Sequence, residues 1–425
     1  MTQDNTSRRD FLKTGAVLSG AALLAQGVYA QGSDTIKVGV IGCGGRGSGA
    51  AEDVLRAASG VKITALGDAF QDRANGLKKR LEGLAKDKSI VEKGNGVDLG
   101  ERVFVGLDAY EKVIASDVNY VILATPPGFR PLHIEAAINA GKHVFTEKPV
   151  AVDGPGVRKV LAAYEKAKEK RLCVAAGTQR RHQAGYIETI KRIHEGEIGE
   201  IVGGQCYWMQ GILWRVPRQK GWSDLEAQMR NWYNYVWLSG DHIVEQHVHN
   251  IDVINWTLKA HPTKAIGMGF RTRTDKDYGH IYDFFAVDFY YPKDVQILSM
   301  CRQISDCANS ISERVVGTKG VSQVNAYAIN GKRVYGREKI SPYVQEHTDL
   351  IASIRGAEYL NELKNVAEST LAAIMGRDSA YTGKAITWEE ALNSKQVLMP
   401  ENLSFDMKLE EPKVPVPGPT KFRAM

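Results

Sequence analysis

Short apolar runs alternate with segments of helical periodicity along the first half of the chain. Residues 35–41, 61–67 and 118–124 are rich in β-branched and other apolar residues, which is typical of buried strands of a parallel sheet. Residues 48–58 and 133–140 follow the first and the third of these runs and predict helices. This alternation of strand and helix indicates an α/β fold.

The second half of the chain has a different pattern, in which a helix at residues 187–195 precedes several strands. Four further runs predict these strands: residues 201–210, 264–272, 284–291 and 295–302. Residues 370–380 predict another helix, and residues 412–419 form an extended, Pro-rich segment. The change of pattern near residue 180 indicates a second domain.

The first 30 residues have the features of an export signal. Arg8 and Arg9 stand in the sequence SRRDFLK, and residues 15–30 are uncharged, rich in Ala, Gly and Leu, and end in small residues. This arrangement is typical of a cleavable twin-arginine signal. A membrane anchor is the alternative, but a spanning helix needs about 20 apolar residues. We therefore expect removal of residues 1–30 and a periplasmic protein without stable membrane insertion.

A glycine-rich turn follows the strand at residues 35–41. It has the pattern G-x-G-x-x-G and consists of Gly42, Cys43, Gly44, Gly45, Arg46 and Gly47. Between a strand and a helix, such glycines let the backbone approach a pyrophosphate at the helix N-terminus. This context predicts a dinucleotide-binding domain.

Asp68 ends the second predicted strand, about 20 residues after the glycine turn. A carboxylate at this position accepts hydrogen bonds from ribose hydroxyls and repels a 2′-phosphate, so it favours NAD over NADP. Arg73 keeps NADP as an alternative, and a solvated turn carboxylate is the other interpretation of Asp68.

Two further strand ends carry short motifs: Thr125 and Pro126 after one strand, and Glu147, Lys148 and Pro149 after the next. Because these motifs follow the glycine turn in the expected order, the chain resembles the glucose-fructose oxidoreductase, inositol dehydrogenase and MocA family over residues 34–390. The resemblance implies an N-terminal Rossmann NAD-binding domain at residues 31–180. It also implies a C-terminal α+β domain with an open, mostly antiparallel sheet at residues 181–390. Residues 391–425 are then an extended tail.

The resemblance implies that Lys148 lies near the nicotinamide and the substrate, where it stabilises negative charge on a reacting oxygen. Glu147 supports the site from the cofactor side. The strand at residues 172–177 is expected to bring Arg180 and His182 to the carboxyl edge of the sheet as substrate contacts. Surface salt bridges are the alternative for these two residues.

A cluster of histidines lies between residues 242 and 249. In the family an Asp and a His four residues apart commonly occupy this helix, and Glu245 and His249 take their positions here. Helical spacing places His242, Glu245 and His249 on one face. We predict that His249 accepts the substrate proton and that Glu245 orients it.

The same cluster leaves two other interpretations open. A packed helix with hydrogen-bonded histidines is one of them, above all for His247. A divalent metal is the other, because Glu245, His247 and His249 would share one face of a strand. The resemblance favours a helix, and we predict no metal.

Five of the seven tryptophans lie between residues 208 and 237. Aromatic planes suit the apolar faces of sugar rings, and polar side chains suit their rims. We therefore take Trp214, Arg215 and Trp232 as candidate substrate contacts. A hydrophobic core or a subunit interface is the alternative for the individual aromatic residues.

Composition excludes several classes of function. The formal charge of +6 is spread along the chain and does not predict nucleic-acid binding. The five cysteines have no C-x-x-C spacing, so they indicate neither a zinc cluster nor a disulfide framework. The resemblance implies a homo-oligomer, either a dimer or a tetramer.

Export and an NAD site together predict that the cofactor stays bound and is regenerated in place. Retention for hours requires a dissociation constant of about 10⁻¹⁰ M. We expect the segment at residues 31–35 or a neighbouring subunit to cover it. The predicted activity is oxidation of a sugar or glycoside, with C3 one candidate carbon. The alternatives are an NAD-dependent glycoside hydrolase and a non-catalytic sugar-binding protein.

Overall fold

A seven-stranded parallel sheet forms the first half of the molecule in the computed structural model, which describes residues 35–421. The export signal and most of the segment 31–35 lie outside the described residues. The strands are β1 (Ile36–Ile41), β2 (Val61–Asp68), β3 (Gly96–Val97), β4 (Val103–Val105), β5 (Tyr120–Leu123), β6 (His143–Thr146) and β7 (Val174–Ala176).

The strand order is β3-β2-β1-β5-β6-β7, with β4 also paired to β2. The order reverses at β1, and ligands of such sheets bind outside the carboxyl ends of the strands at this point. Val38 and Val40 in β1 are fully buried because helices cover both faces of the sheet.

The helices of this half connect the strands. They are α1 (Gly45–Ala57), α2 (Gln71–Leu84), α3 (Lys88–Val91), α4 (Ala109–Ala115), α5 (Arg130–Asn139) and α6 (Gly154–Glu169). This arrangement confirms the predicted Rossmann-like α/β fold of the first half.

The second half contains a nine-stranded sheet with the order β15-β14-β13-β12-β8-β11-β10-β9-β16. Its longer strands are β8 (Ile201–Gln210), β9 (Lys264–Phe270), β10 (Phe284–Tyr290), β11 (Gln296–Gln303) and β12 (Ser310–Gly317). The shorter ones are β13 (Gly320–Gln323), β14 (Ala328–Ile329), β15 (Lys332–Arg333) and β16 (Ile386–Thr387). Strands β8 and β11 pair in parallel and the other pairs are antiparallel, which confirms the predicted mostly antiparallel sheet.

One face of this sheet is covered by helices and the other is open. The helices of the second half are α7 (Ala184–His194), α8 (Asp224–Arg230), α9 (Val236–Ser239), α10 (His242–Glu245), α11 (Val248–Leu258), α12 (Pro342–Ile354), α13 (Leu363–Thr382) and α14 (Trp388–Asn393). Helix α13 is buried along most of its length between this sheet and α6. On the open face, Ile266, Met268 and Phe270 are 45%, 69% and 48% exposed.

The predicted domain boundary at residue 180 assigns α12 to the second domain, but this helix packs against the first half. This helix returns to the first half, where Leu350 and Ile351 join the hydrophobic core of the parallel sheet. After it, Leu360 and Glu362 exchange backbone hydrogen bonds with Val174 of β7. The linear boundary is therefore wrong for residues 342–362, because the apolar side of α12 is buried against α1 and β7.

The chain after α14 crosses the surface without a helix or strand as far as residue 421, the last residue described. Its apolar residues alternate with polar ones and pack against a small core that contains Leu225, Met229 and Trp237. These alternating residues are Leu403, Phe405, Met407 and Leu409. Among residues 35–421, no helix combines the length and the apolar character that a membrane span requires.

Candidate active site

A cleft of about 540 Å³ opens at the point where the strand order of the parallel sheet reverses. Residues of the first half form one side, which we call the first wall: Gly42, Gly44, Gly45, Arg46, Asp68, Phe70, Arg73, Leu107, Thr125 and Pro126. Residues of the second half form the opposite side, which we call the second wall: Trp214, Val216, Met229, Arg230 and Trp232.

The glycine turn has the shape that a pyrophosphate requires. Gly42 has a φ of +94°, and a Cβ there would lie 2.7 Å from the backbone carbon of Ala124. A Cβ on Gly47 would lie 1.8 Å from the Gly42 carbonyl oxygen. Only glycine at this position therefore allows α1 to pack so closely against the turn. Gly44 and Gly45, by contrast, face open space. The turn therefore leaves room for phosphate oxygens at the N-terminus of α1.

Asp68 lies at the end of β2 and lines the cleft. Burial raises the pKa of its carboxyl group, and hydrogen bonds from the amides of Phe70 (2.9 Å) and Cys43 (2.6 Å) partly offset this rise. Each carboxylate oxygen accepts one of these bonds and keeps a lone pair for a ribose hydroxyl. The donor and acceptor set therefore fits the adenosine half of NAD.

Thr125 and Pro126 follow β5 and line the same cleft, and the Thr125 hydroxyl lies 3.1 Å from His133 Nδ1. Glu147 follows β6 but is buried behind Arg46, with which it forms a close ion pair. Arg46 also contacts Asp53 at 3.3 Å and Glu346 at 3.4 Å. The ion pair between Arg46 and Glu147 thus connects the glycine turn to the segment that carries Lys148.

The pKa values of the two buried glutamates beside Arg46 shift in opposite directions. Burial raises the pKa of Glu147, but Arg46, Lys148 and Arg130 outweigh it and lower the pKa overall. Burial and the charge of Glu147 raise the pKa of Glu346 well above its usual value. Of the two glutamates, Glu147 is therefore the stronger ionic partner of Arg46.

Lys148 is held by the second half of the molecule. Its Nζ atom donates to the backbone carbonyl of Glu245 at 2.6 Å and contacts the Glu245 carboxylate at 3.1 Å. The side chain of Gln246 donates to the other carboxylate oxygen at 2.6 Å. An ammonium group has three donors. Glu245 uses two of them, and no partner of the third is found among residues 35–421, so it is available for a substrate oxygen.

The predicted single helical face of His242, Glu245 and His249 is wrong. Helix α10 ends at Glu245 and α11 begins at Val248, so the three residues do not lie on one helix. His242 is fully buried, and its ring lies 5.1 Å from that of Phe285 in β10. Burial, followed by the charge of Arg273, lowers the pKa of His242 to about 3, so it is a neutral residue of the core.

Glu245 does not orient His249 as predicted, because its carboxylate is used by Lys148 and Gln246. The ring of His249 instead stacks on Trp208, with centroids 5.7 Å apart and an interplanar angle of 20°. His249 Nδ1 is buried and has no hydrogen-bond partner in the described part of the chain.

Burial, and then the charges of Lys148, Arg180 and Arg46, lower the pKa of His249 well below 6.5. His249 is therefore a neutral imidazole at neutral pH, which is the form that accepts a proton.

His247 lies apart from this group. Its Nε2 is 2.7 Å from the Ser299 hydroxyl, and its Nδ1 is 3.3 Å from Asn250 Oδ1. The segment forms two helices, α10 and α11, and no strand. The alternative arrangement of Glu245, His247 and His249 on one strand face is therefore also wrong. In residues 35–421, no three His, Cys, Asp or Glu side chains are grouped as metal ligands.

Lys148, Glu245 and His249 do not line the cleft, and neither do Arg180, His182 and Arg215. Arg180 donates to Glu313 at 2.6 Å, and its guanidinium lies 5.7 Å from the Trp208 ring, so it adds positive charge behind His249. His182 lies between Asp349 at 2.6 Å and Glu362 at 3.3 Å. Arg180 and His182 are themselves buried, and their contact with a substrate stays a prediction. Arg215 forms an exposed ion pair with Asp275.

Sequence reasoning missed several residues of the site. Trp208 supports His249, Gln246 supports Glu245, and Met229 lines the second wall. Arg230, expected with Arg218 and Asn231 to contact the rim of a sugar, lines the same wall. Trp214 and Trp232, predicted as substrate contacts, lie in the cofactor cleft opposite the glycine turn. The density of aromatic residues between 208 and 237 was the only signal in the sequence, and it does not distinguish substrate from cofactor.

Comparisons with known proteins agree with this geometry. Residues 36–178 match the oxidoreductase family with an NAD-binding Rossmann fold, and residues 186–323 match the GFO/IDH/MocA C-terminal domain. The chain belongs to the Gfo/Idh/MocA oxidoreductase family. It is thus an NAD-binding oxidoreductase. Residues 5–25 match the twin-arginine signal sequence, which confirms the predicted export, typically to the periplasm.

Relatives of this Gfo/Idh/MocA chain include several inositol dehydrogenases. Inositol 2-dehydrogenase 3 of Saccharopolyspora erythraea is 27% identical over 373 residues, which cover 86% of this chain and 95% of the relative. The inositol 2-dehydrogenase of Azotobacter vinelandii is also 27% identical, over 68% of this chain and 74% of its own length.

Solved structures share the fold. The scyllo-inositol dehydrogenase of Lactobacillus casei with bound NAD(H) and scyllo-inositol has a TM-score of 0.62 at 19% identity and covers 83% of this chain and 99% of its own. The aldose-aldose oxidoreductase of Caulobacter crescentus complexed with glycerol has a TM-score of 0.63 at 17% identity, with the same coverage.

Proposed function

We propose that this exported member of the family oxidises a hydroxyl group of a polyol, sugar or glycoside with an NAD that it retains and regenerates in place. The observation that carries the proposal is the junction between the two halves, where Lys148 Nζ is fixed 2.6 Å from the Glu245 carbonyl beside a neutral His249. A cation and a neutral base close to each other are the two groups that oxidation of an alcohol requires. Neither lines the cleft itself, but Glu147, which precedes Lys148, pairs with Arg46 of the cleft lining.

In the proposed reaction, His249 removes the proton of the substrate hydroxyl, and the free donor of Lys148 stabilises the oxygen as negative charge develops on it. Bound NAD supplies the chemistry of a hydride acceptor. Trp208 keeps the imidazole in place by stacking, and Glu245 with Gln246 keeps the ammonium group in place. Gly42, Gly44, Gly45 and Arg46 are the proposed pyrophosphate contacts, and Asp68 is the proposed ribose contact.

The inositol dehydrogenases and the aldose-aldose oxidoreductase among its relatives support cyclic polyols and aldoses as the first substrates to test. Retention of the cofactor follows from export, because free NAD is scarce outside the cytoplasm. Reduced cofactor must then be reoxidised by a second carbonyl compound at the same site, and a keto-sugar is the proposed acceptor.

The test uses the mature protein purified gently from the periplasm. It is mixed with a panel of inositols, aldoses and glycosides, and absorbance at about 340 nm reports reduced cofactor. We expect one substrate to produce the signal and a keto-sugar to remove it, with a ketone product found by NMR. Hydrolysis of a glycoside without net oxidation would replace the proposal with a glycoside hydrolase. Sugar binding without any product would indicate a non-catalytic binding protein.

The open face of the nine-stranded sheet supports a homo-oligomer as a further part of this proposal. Ile266, Met268 and Phe270 of β9 and Leu298 of β11 expose apolar side chains on one face, on either side of β10. Exposed apolar side chains grouped on one face are typical of an interface. Light scattering should give a dimer or tetramer, and Met268→Glu should shift it to a smaller species, whereas Val416→Glu in the exposed tail should not. A monomeric wild-type protein would contradict the assignment.

A further inference from the structure

We infer that the second wall is the outer half of the adenosine-binding site and that the C-terminal tail holds this wall closed over the cofactor. The inference rests on the proposed retained NAD. It assigns to Arg230, Met229 and Phe405 a role in keeping the dinucleotide bound. The covering element is then a segment of the same subunit rather than residues 31–35 or a neighbouring subunit.

The first observation is an ion pair that joins the two walls at the edge of the cleft. Arg230 donates to both carboxylate oxygens of Asp72, at 2.9 and 3.1 Å. Asp72 lies in the first turn of α2, shortly after Asp68. Hydrogen bonds from Arg230 are the largest cause that lowers the pKa of Asp72. A paired, planar contact of this type fixes the orientation of the groups that it joins.

The same guanidinium group lies over two aromatic rings, Phe70 of the first wall at 4.1 Å and Trp222 at 5.0 Å. Cation–π contacts of this kind add to the attraction of the ion pair. Arg230 therefore connects the loop that follows Asp68 with helix α8 by charge and by stacking.

The chemistry of the enclosed space fits an adenine ring. Phe70 and Leu107 from the first wall face the same cavity as Met229 and Trp232 from the second. Flat aromatic ligands are bound by apolar and aromatic side chains of this kind, with a few polar groups at the edge. Asp68, beside Phe70, supplies the polar group for the ribose.

The tail packs on the outside of this junction. The ring of Phe405 lies 5.9 Å from that of Phe70, and Leu409 donates its backbone N–H to Asp224 in α8 at 3.3 Å. Leu403 and Met407 contact the same apolar cluster as Phe405. The tail therefore contacts both the loop of the first wall and the helix of the second.

Both ends of this tail segment are fixed to the body of the protein. Before it, the Leu398 amide donates to Asp153 at 2.9 Å. After it, the Pro415 carbonyl accepts a hydrogen bond from the Tyr282 hydroxyl at 2.8 Å. Because the segment is anchored on both sides, movement of α8 away from Phe70 requires loss of tail contacts as well as of the Arg230 pair.

The experiment measures the dissociation rate of the bound cofactor directly. Reduced cofactor is loaded on the mature protein, and loss of its fluorescence is followed after dilution into excess oxidised NAD. We expect Arg230→Gln to raise this rate about tenfold, because it removes the charge of a paired contact. Phe405→Ala should raise it by about threefold or more, because it loosens the wall without touching the cleft.

Two matched controls separate the wall from general effects. Arg56→Gln breaks a comparable ion pair with Asp87 at 3.0 Å within the first half, and Val416→Ala shortens an exposed side chain of the tail. Both variants should keep the wild-type dissociation rate, and all four should keep the wild-type unfolding temperature within a few degrees.

The outcomes distinguish this inference from the proposed function. If the wild-type protein loses its NAD on dialysis, as judged by native mass spectrometry, then retention itself is wrong. If the wild type retains NAD and Arg230→Gln and Phe405→Ala release it at the wild-type rate, then the second wall is not the retaining element, although the proposed function stands.

Discussion

The two walls of the cofactor cleft are built in different ways. The first wall consists of strand ends and a short turn in which Gly47 packs on the Gly42 carbonyl and Gly42 on the backbone of Ala124. The second wall consists of residues from a helix and two connections, and its position depends on contacts with α2 and with the tail.

This difference explains which chemistry each half supplies. The first half ends several parallel strands at one edge of its sheet, where the phosphates and ribose of a dinucleotide bind in such folds. The second half supplies groups that meet the first only in the folded molecule, namely Glu245 on Lys148 and His249 beside it. The proposed reacting groups lie where the first half contacts the second, at Lys148 and Glu245.

The largest predicted effect removes the cation at this junction. Lys148→Met should lower kcat by about 10³-fold, because no other donor replaces the ammonium group on the developing oxyanion. NAD retention should be unchanged. The matched control is Lys142→Met: Lys142 lies just before β6 and donates to the Val118 carbonyl at 2.7 Å. Equal activity losses in the two variants would show that Lys148 is only structural.

The second prediction compares neighbouring histidines on α11 and at its start. His249→Asn should lower kcat by about 10²-fold or more and leave the unfolding temperature unchanged, because it removes the proton acceptor. His247→Asn should keep most of the activity but lower the free energy of unfolding by about 1–3 kcal/mol, because it leaves buried groups unpaired. Steady-state kinetics and thermal unfolding on both variants test this; the reverse assignment of effects would contradict it.

The glycine turn and Asp68 of the first wall could be located from the sequence because a short, continuous pattern identifies them. A turn that needs a positive φ at Gly42 and close packing at Gly47 admits little besides glycine, and a strand that ends at Asp68 places that carboxylate at the sheet edge. The fold class of both halves followed from the strand and helix patterns and from the family resemblance. The roles of the individual residues in binding NAD stay predictions.

The second half was predicted less well because its geometry depends on distant partners. The helical pattern of the sequence does not reveal that the helix is interrupted after Glu245. At the interruption, His247 forms a hydrogen bond with Ser299 of β11, which is distant in sequence. Glu245 was assigned to His249 because four-residue spacing brings side chains together on a continuous helix. Lys148, almost a hundred positions away, competes for the same carboxylate and binds it.

A smaller effect is expected from the charge of the first wall. Asp68→Asn should raise the dissociation constant of NAD about tenfold and reduce discrimination against NADP, because the amide keeps one acceptor but loses the negative charge. Calorimetry on cofactor-free protein measures both affinities. Asp98→Asn, which changes an exposed carboxylate after β3, should leave both unchanged. An unaltered preference for NAD in Asp68→Asn would place the discrimination elsewhere.

The smallest predicted effect is that of pH on the wild-type enzyme. Burial and the positive charges of Lys148, Arg180 and Arg46 lower the pKa of His249 well below 6.5, so His249 is already neutral above that pH and loses its basic form only as the pH falls through its lowered pKa. Between about pH 6.5 and 8, kcat/KM should therefore change less than about twofold from this group. An acid limb with its midpoint at or above pH 6.5, present in the wild type and absent in His249→Asn, would show that the surrounding cations do not control the base. The pKa of His249 would then depend on its surroundings in the second half and not on the charge of Lys148 in the first.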